Sequence, residues 1–382
     1  MVHPRVAVLT ALGQSIWQDD INRQQLTSGE LQRSIDEIGI RGLTSNPTIF
    51  EKAISSGNAY DDQIAGLLRE GKAGLALFEE IEAQDIRDAC DLFRPLYDAT
   101  DGADGFCSIE VSADAARDAD ATREQVRRLW DAVARPNVMV KIPGTAEGAP
   151  VVEEMLEEGK NINITLLFSL NSYERVAEAY VAALEKRLEA GKPIDRIASV
   201  ASFFVSRVDT LVDKKIDEKL ATVTDDAQRK RLEGLKGKVA VANAKLAYES
   251  YQALFEGPRF RPLAERGAKP QRPLWASTST KNPAYPDLLY VDTLIGPFTV
   301  NTMPRATIEA FLDHGVVART VDDDLLGAHR ILEELAAAGI DYDAVTRQLE
   351  DEGIASFEKS FDQLIAGVEA KKEKLAEMAG VR

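Results

Sequence analysis

The residue best suited to covalent chemistry is a lysine inside an apolar run. Residues 137–144 read Asn-Val-Met-Val-Lys-Ile-Pro-Gly, so Lys141 has apolar neighbours on both sides. A short apolar run closed by Pro-Gly predicts a buried strand, and burial disfavours the charged form of a lysine. A neutral amine can attack a carbonyl and form a Schiff base. The alternative is that Lys141 only extends its ammonium group into water at the strand end.

Polar side chains that could cooperate with this amine stand at the ends of other predicted strands. They are Asp19, Asn46, Glu110, Asn163, Thr165 and Ser202, with Ser279 and Lys281 at and just beyond a later strand. Each also has an ordinary explanation: Asp19 or Asp20 as a helix cap, Asn46 as a turn residue before Pro47, and Asn163 with Thr165 as a hydrogen-bonded layer inside a barrel. Buried charges are costly without partners, however, so their joint occurrence favours one shared site.

The elements that must position these residues alternate between strands and helices. Strand-like runs cover residues 14–20, 42–47, 105–111, 137–144, 161–169, 197–205, 273–279 and 298–303. This alternation predicts an α/β fold, a (β/α)8 TIM barrel forming a single domain over residues 1–382, whose catalytic groups come from the C-terminal strand ends. A doubly wound open sheet is the competing fold, but no Gly-rich turn follows an early strand.

Helical segments beyond the simple repeat are predicted in three places. A lead-in segment spans residues 6–12, and a helical excursion over residues 208–255 is longer than one crossover needs. C-terminal helices are expected within residues 340–382, one over 344–352 and another beginning near Ile354. The last carries an apolar stripe at helical spacing, which predicts that it packs on the barrel.

Composition excludes several classes of protein. A formal net charge of −17 argues against a nucleic-acid partner. Two cysteines and three histidines, far apart in the sequence, form no metal-spaced set. No run of about 18 apolar residues and no signal pattern is present, so we expect a cytoplasmic protein without a membrane partner. Monomer and homodimer are both compatible with the sequence.

An ordered set of motifs resembles transaldolase over nearly the whole chain, from about residue 12 to residue 310. They are Ser15-Ile-Trp-Gln-Asp-Asp20, Leu43-Thr-Ser-Asn-Pro47, Ser108-Ile-Glu-Val111, Val140-Lys-Ile-Pro143, Asn161-Ile-Asn-Ile-Thr-Leu-Leu-Phe-Ser169 and Ser202-Phe-Phe-Val-Ser-Arg207. The resemblance, closest to the longer subfamily, implies a metal-free and cofactor-free enzyme of the pentose phosphate pathway. Such enzymes move a dihydroxyacetone unit from sedoheptulose 7-phosphate to glyceraldehyde 3-phosphate, giving erythrose 4-phosphate and fructose 6-phosphate.

The resemblance also implies a role for each matching residue. Lys141 would form the Schiff base, Glu110 would act through a water as acid and base, Asp19 would transfer the proton of the hydroxyl at the cleaved bond, and Thr165 would position the catalytic water. Asn46 and Asn163 would hold the donor hydroxyls, while Ser202, Arg207, Ser279 and Lys281 would bind phosphate. Lys281 departs from the pattern, because other transaldolase groups have an arginine there.

Two alternatives remain open from the sequence. A plain class I aldolase acting on a ketose or deoxysugar phosphate would share the lysine and the barrel. A non-catalytic sugar-phosphate-binding barrel would share the fold but form no covalent adduct. The resemblance to transaldolase at Asp19, Asn46 and Arg207 favours transfer, which a two-substrate assay would separate from simple cleavage.

Overall fold

A closed barrel of parallel strands forms the centre of the molecule. The computed structural model describes residues 2–45 and 47–378. The strands, in chain order around the barrel, are β1 (Gln14–Gln18), β2 (Gly42–Thr44), β3 (Phe106–Glu110), β4 (Val138–Pro143), β5 (Ile162–Leu167), β6 (Ser199–Phe204), β7 (Arg272–Ala276) and β8 (Thr299–Met303). β1 pairs with β8 and closes the ring. The predicted (β/α)8 barrel is confirmed.

The register of the central strands brings the predicted catalytic residues side by side. Glu110 on β3 lies opposite Lys141 on β4, and Lys141 lies opposite Asn163 on β5. Pro143 lies opposite Thr165. Because parallel strands share one direction, these residues all approach the C-terminal face of the barrel.

Strand β5 contains a local distortion next to Thr165. Leu166 has a φ of +59°, a left-handed backbone conformation that is uncommon for a residue with a branched side chain. The pairing of β5 with β6 shifts register between Ile164 and Leu167. Distortions of this kind redirect side chains and occur often beside active sites.

Helices surround the barrel. They are α1 (Pro4–Ala11), α2 (Arg23–Thr27), α3 (Glu30–Arg33), α4 (Pro47–Ser56), α5 (Asp61–Arg69), α6 (Gly74–Ala99), α7 (Ala119–Val133), α8 (Gly148–Glu158), α9 (Leu170–Glu189), α10 (Ser206–Leu220), α11 (Asp226–Leu235), α12 (Val239–Phe255), α13 (Arg261–Ala264), α14 (Leu289–Asp292), α15 (Arg305–His314), α16 (Leu325–Ala337) and α17 (Tyr342–Met378). A π-helical turn (Ser34–Ile38) continues α3, and a 3₁₀ turn (Ala113–Arg117) precedes α7.

The predicted additions to the barrel are present, with changed details. The lead-in segment is α1, and the excursion after β6 is a set of three helices, α10 to α12. Asp225 caps α11 by accepting a hydrogen bond from the backbone N–H of Gln228 at 2.7 Å. Helix α4 is not among the sequence predictions. Among the described residues, no helix has both the length and the apolar character needed to cross a membrane.

The prediction of separate C-terminal helices at residues 344–352 and from 354 onward is wrong. The structure has one continuous helix, α17, through Gly353. A glycine inside a helix is tolerated where it allows close packing. A Cβ at Gly353 would lie 3.2 Å from Cδ2 of Leu166 and 3.4 Å from the ring of Phe168, so the missing side chain lets α17 lie directly against the end of β5.

Candidate active site

The centre of the site is an ion pair between neighbouring strands. Nζ of Lys141 donates a hydrogen bond to Oε2 of Glu110 at 3.1 Å. The two side chains are only 14% and 8% exposed, respectively. Burial raises the pKa of Glu110, and the positive charge of Lys141 opposes that rise. A carboxyl group with a raised pKa that is hydrogen-bonded to an amine is well placed to give and take protons at that amine.

This pair opens into a cavity of about 150 Å³ at the C-terminal face of the barrel. The lining residues are Glu110, Lys141, Thr165, Leu166, Phe204, Arg207, Gly353, Ser356, Phe357 and Ser360. We call this space the mouth. Oγ1 of Thr165 is buried and has no hydrogen-bond partner in the described part of the chain. A buried hydroxyl without a partner is unusual and marks a place where a water or ligand atom can bind.

Asp19 lies just beyond the end of β1 and is half-buried. Burial and the charge of the neighbouring Asp20 raise its pKa to about 6, although the charges of Lys141 and Lys281 act in the opposite direction. Asp20 is held elsewhere, because its Oδ2 accepts a hydrogen bond from Nε2 of Gln25 in α2 at 2.7 Å. Of these two carboxylates, Asp19 is therefore the one whose pKa the charge of Lys141 lowers.

Asn163 and Ser202 lie deeper, in a polar chain across the barrel interior. Nδ2 of Asn163 donates to Oγ of Ser108 at 3.0 Å, and Oγ of Ser202 donates to Oδ1 of Asn163 at 2.6 Å. Both residues are fully buried. The structure thus brings Ser202 to Asn163 and not to the other residues predicted to bind phosphate, whose roles all remain predictions.

Arg207 lies in the mouth at the start of α10. Its guanidinium carbon stands 5.1 Å from the centre of the Phe204 ring. Burial lowers its pKa, opposed by the charge of Glu352. No carboxylate of the described residues forms an ion pair with this guanidinium. A partly buried arginine without an anionic partner is well suited to bind an anionic ligand.

Ser279 and Lys281 are bonded to each other outside the mouth. Nζ of Lys281 donates to Oγ of Ser279 at 2.7 Å. Lys281 lines a neighbouring, wider cavity of about 620 Å³, together with carboxylates of α10 that include Asp213 and Asp217. The structure therefore separates this pair from Arg207, although Lys281 still acts on the charge of Asp19. Asn46 lies outside the described residues.

Two groups of residues near the site are absent from the sequence predictions. One is the face of α17 that lines the mouth. The other is Glu82 on α6, which is 3% exposed. Burial and the charge of Glu110 raise its pKa to about 8, although the charge of Lys141 acts in the opposite direction. Glu82 follows Ile81 on the buried, mainly apolar face of α6. A carboxylate at such a position is visible in the sequence and could have been predicted to lie near the site.

Chemically, the arrangement provides an amine and a carboxyl group that are hydrogen-bonded to each other, and a second carboxylate that the charge of the amine influences. Such a set can form and hydrolyse an imine and can move a proton at a substrate hydroxyl. Within residues 2–45 and 47–378, no group of three or more His, Cys, Asp and Glu side chains could hold a metal ion.

Comparison with known proteins gives one consistent result. Residues 16–368 match the family described as Transaldolase/Fructose-6-phosphate aldolase. The chain is 48% identical over 377 residues to a transaldolase of Trichodesmium erythraeum, covering 98% of this chain and 99% of that protein. It is 48% identical to transaldolase 2 of a Nostoc species, with 95% and 96% covered, and 47% identical to a transaldolase of Acidothermus cellulolyticus, with 97% of each covered.

Proposed function

This chain belongs to the transaldolase/fructose-6-phosphate aldolase family, and we propose that Lys141 carries its reaction as a Schiff-base nucleophile. The activity is that of a transaldolase. The proposed reaction moves a dihydroxyacetone unit from sedoheptulose 7-phosphate to glyceraldehyde 3-phosphate in the cytoplasm. The observation that carries the proposal is the Lys141–Glu110 pair at 3.1 Å inside a narrow cavity at the C-terminal face of the barrel.

The first half of the mechanism forms the imine. Nζ of Lys141 attacks the ketone carbon, and the carbonyl oxygen takes up a proton to give a carbinolamine. Loss of that hydroxyl as water leaves a protonated imine and requires an acid. Glu110, whose pKa burial raises, supplies this proton through a water placed by the free hydroxyl of Thr165.

The second half breaks and remakes a carbon–carbon bond. Asp19 removes the proton of the hydroxyl on the carbon beyond the bond, that carbon leaves as an aldehyde, and the electron pair moves into the imine to give an enamine. The acceptor aldehyde then takes the place of the first, the enamine attacks it, and Asp19 returns the proton to the new hydroxyl. Hydrolysis of the imine releases the new ketose phosphate and restores Lys141.

Substrate contacts complete the proposal. Asn163 lies opposite Lys141 and within the polar interior, where an amide can hold the hydroxyls of the three-carbon unit. Arg207 binds the phosphate group in the mouth. We keep Asn46, Ser202, Ser279 and Lys281 as proposed substrate contacts, with Lys281 acting on ligands that enter from the wider cavity.

Reductive trapping tests the covalent step. Incubation with fructose 6-phosphate and sodium borohydride should attach a reduced three-carbon unit to Lys141, detected by mass spectrometry of the Lys141 peptide. Lys141→Met should lose both the label and the turnover, while the surface control Lys186→Met, whose partner is Glu153, should keep them. A label on another lysine, or no label with the native protein, would refute the assignment.

A coupled assay tests transfer against plain cleavage. With fructose 6-phosphate as donor, a transaldolase consumes substrate rapidly only when an acceptor aldehyde is present. An aldolase would instead release free dihydroxyacetone at the same rate without an acceptor.

A further inference from the structure

One wall of the mouth comes from the C-terminal helix. Gly353, Ser356, Phe357 and Ser360 of α17 line the same cavity as Lys141. Their spacing of three, four and seven residues from Gly353 places them on one face of a helix. This face is distinct from the strand ends that supply the residues assigned above.

Packing contacts near both ends of this helix face hold it in place. Gly353 lies against Leu166 and Phe168, where even a Cβ would be in tight contact. About two turns further along α17, the Phe361 ring meets Phe78 of α6 edge to face at 6.0 Å between ring centres. Leu364, one turn further along, is completely buried. The α17 side chains that line the mouth therefore project from a helix that is held in place by packing.

The serine hydroxyls of this face are available to a ligand. Serine and threonine inside a helix commonly donate to the carbonyl four residues earlier, and Thr346 of the same helix does so, to Tyr342 at 3.1 Å. In the described part of the chain, neither Ser356 nor Ser360 makes such a bond or any other side-chain hydrogen bond. Ser356 is exposed and Ser360 is half-buried, so both hydroxyls can reach into the mouth.

The size of the mouth determines what an anion bound by Arg207 must touch. The cavity of about 150 Å³ is smaller than the roughly 300 Å³ at which small-molecule sites usually begin. A phosphate that reaches Arg207 therefore has little room to avoid the α17 face. Arg207 supplies only donors, and a phosphate group has more acceptor positions than one guanidinium can fill.

We propose that Ser356 and Ser360 donate hydrogen bonds to the phosphate group of the sugar phosphate held by Arg207. They are thus specificity-determining residues for phosphorylated over unphosphorylated substrates. This inference rests on the proposed function for its substrate class. It adds the C-terminal helix to a phosphate site that otherwise contains Arg207 at the start of α10.

Paired substrates provide the test. For Ser356→Ala/Ser360→Ala, KM for fructose 6-phosphate should rise about ten-fold, because hydrogen bonds to a charged group are lost. We expect kcat to change less than about three-fold, since the reacting carbons are untouched. The ratio kcat/KM for unphosphorylated fructose should stay at the native value. The control Glu358→Gln changes an exposed residue on the opposite face of α17 and should leave all three values unchanged.

Two further measurements separate a contact from a structural effect. Ser356→Thr/Ser360→Thr keeps both hydroxyls and should restore a KM close to the native one. Binding of inorganic phosphate, measured by calorimetry, should weaken about ten-fold in the alanine variant. An unchanged KM, or equal losses with fructose and fructose 6-phosphate, would overturn the proposal. Because phosphate binding needs no Schiff base, a native protein that binds phosphate through these serines but cannot be trapped by borohydride would overturn the proposed function alone.

Discussion

Both ends of the barrel bury charged side chains, but they differ in how many of these side chains have hydrogen-bond or ion-pair partners. At the N-terminal face, Asp104 accepts hydrogen bonds from Nε1 of Trp17 at 3.0 Å and from Nε of Arg41 at 2.7 Å, and also from Oγ of Ser15. Nη2 of Arg272 donates to Ser15 at 2.7 Å, and its Nη1 stands 3.5 Å from Asp104. We call Ser15, Trp17, Arg41, Asp104 and Arg272 the lower network.

At the C-terminal face, several polar groups lack a hydrogen-bond or ion-pair partner among the described residues. Thr165 has a buried hydroxyl without a partner, and Arg207 has no ion pair among the described residues. At the same face but outside the lining of the mouth, Asp19 accepts no hydrogen bond from a side chain of the described residues, and burial raises its pKa to about 6. Lys141 and Glu110 are hydrogen-bonded to each other, and the proposed reaction begins by separating them.

This difference shows which end is adapted to stability and which to chemistry. A buried polar cluster with all its partners is rigid, whereas one with missing partners is destabilising until a ligand supplies them. Proteins violate local rules mainly at functional sites. Substitutions in the lower network should therefore lower the free energy of unfolding, and substitutions in the mouth should lower activity without that loss.

The largest effect is expected at Asp19. Asp19→Asn should lower kcat about 10³-fold, because the proposed proton transfer at the cleaved bond is lost. The same change should increase the free energy of unfolding by about 1–3 kcal/mol at pH 8. The folded-state pKa of about 6 lies above the usual value of 3.8, so the stability that the protonated group provides is lost as the pH rises through about 6. Asparagine does not ionise and avoids this loss.

Activity as a function of pH, together with urea unfolding at pH 5 and pH 8, checks this prediction. The native enzyme should lose activity as the pH falls through about 6, where Asp19 becomes protonated. Borohydride trapping should still label the variant at Lys141. Equal stability of the two proteins at pH 8, with full activity in the variant, would place Asp19 outside the site.

The lower network should respond in the opposite way. Asp104→Asn removes the charge that faces Arg41 and Arg272, and breaking a buried ion pair typically costs about 3 kcal/mol or more. Burial lowers the pKa of Arg272, and the charge of Asp104 opposes that change. Urea unfolding should show the loss, while kcat per folded molecule stays at the native value. Asp98→Asn, which removes an exposed pair with Arg94, should change the free energy of unfolding by less than about 0.5 kcal/mol.

Strand positions were predictable because apolar runs and turn residues mark them. Residues 137–144 contain β4 (Val138–Pro143), and the other runs contain the other strands apart from a residue at the start of β7. Parallel strands end at one face, so the meeting of Glu110, Lys141 and Thr165 followed from the barrel alone. The division of α17 at Gly353 was wrong because the sequence does not show which surface a glycine packs against.

Other parts of the site depend on contacts that no local pattern records. The serines of α17 reach the mouth only because that helix crosses the end of β5, far away in sequence. Arg207 lines the mouth and Lys281 lines the wider cavity, although the two residues follow neighbouring strands of the barrel. Glu82 is the exception, since a carboxylate within the apolar stripe of α6 is visible in the sequence.

The smallest expected effects come from a matched pair of hydroxyls, Thr165 in the mouth and Ser15 in the lower network. Ser15→Ala should lower the free energy of unfolding by about 1–2 kcal/mol, because Asp104 loses a donor and Arg272 loses an acceptor. Thr165→Val keeps the shape of the side chain and removes a hydroxyl that has no partner, so stability should be unchanged or slightly higher. Its kcat should fall about ten-fold, since the catalytic water loses its hydrogen bond.

Urea unfolding and steady-state kinetics on both variants test whether the two ends really differ. The test depends on whether the free energy of unfolding falls in each variant, and not on how large either change is. If Thr165→Val lost as much stability as Ser15→Ala, the Thr165 hydroxyl would have a structural partner, and a water held there in the absence of substrate would be the natural one. If Ser15→Ala lost activity at unchanged stability, the lower network would be coupled to the mouth through β1, whose far end leads to Asp19. If Ser15→Ala lowers the free energy of unfolding and Thr165→Val does not, the barrel keeps its stabilising and its reactive polar groups at separate ends.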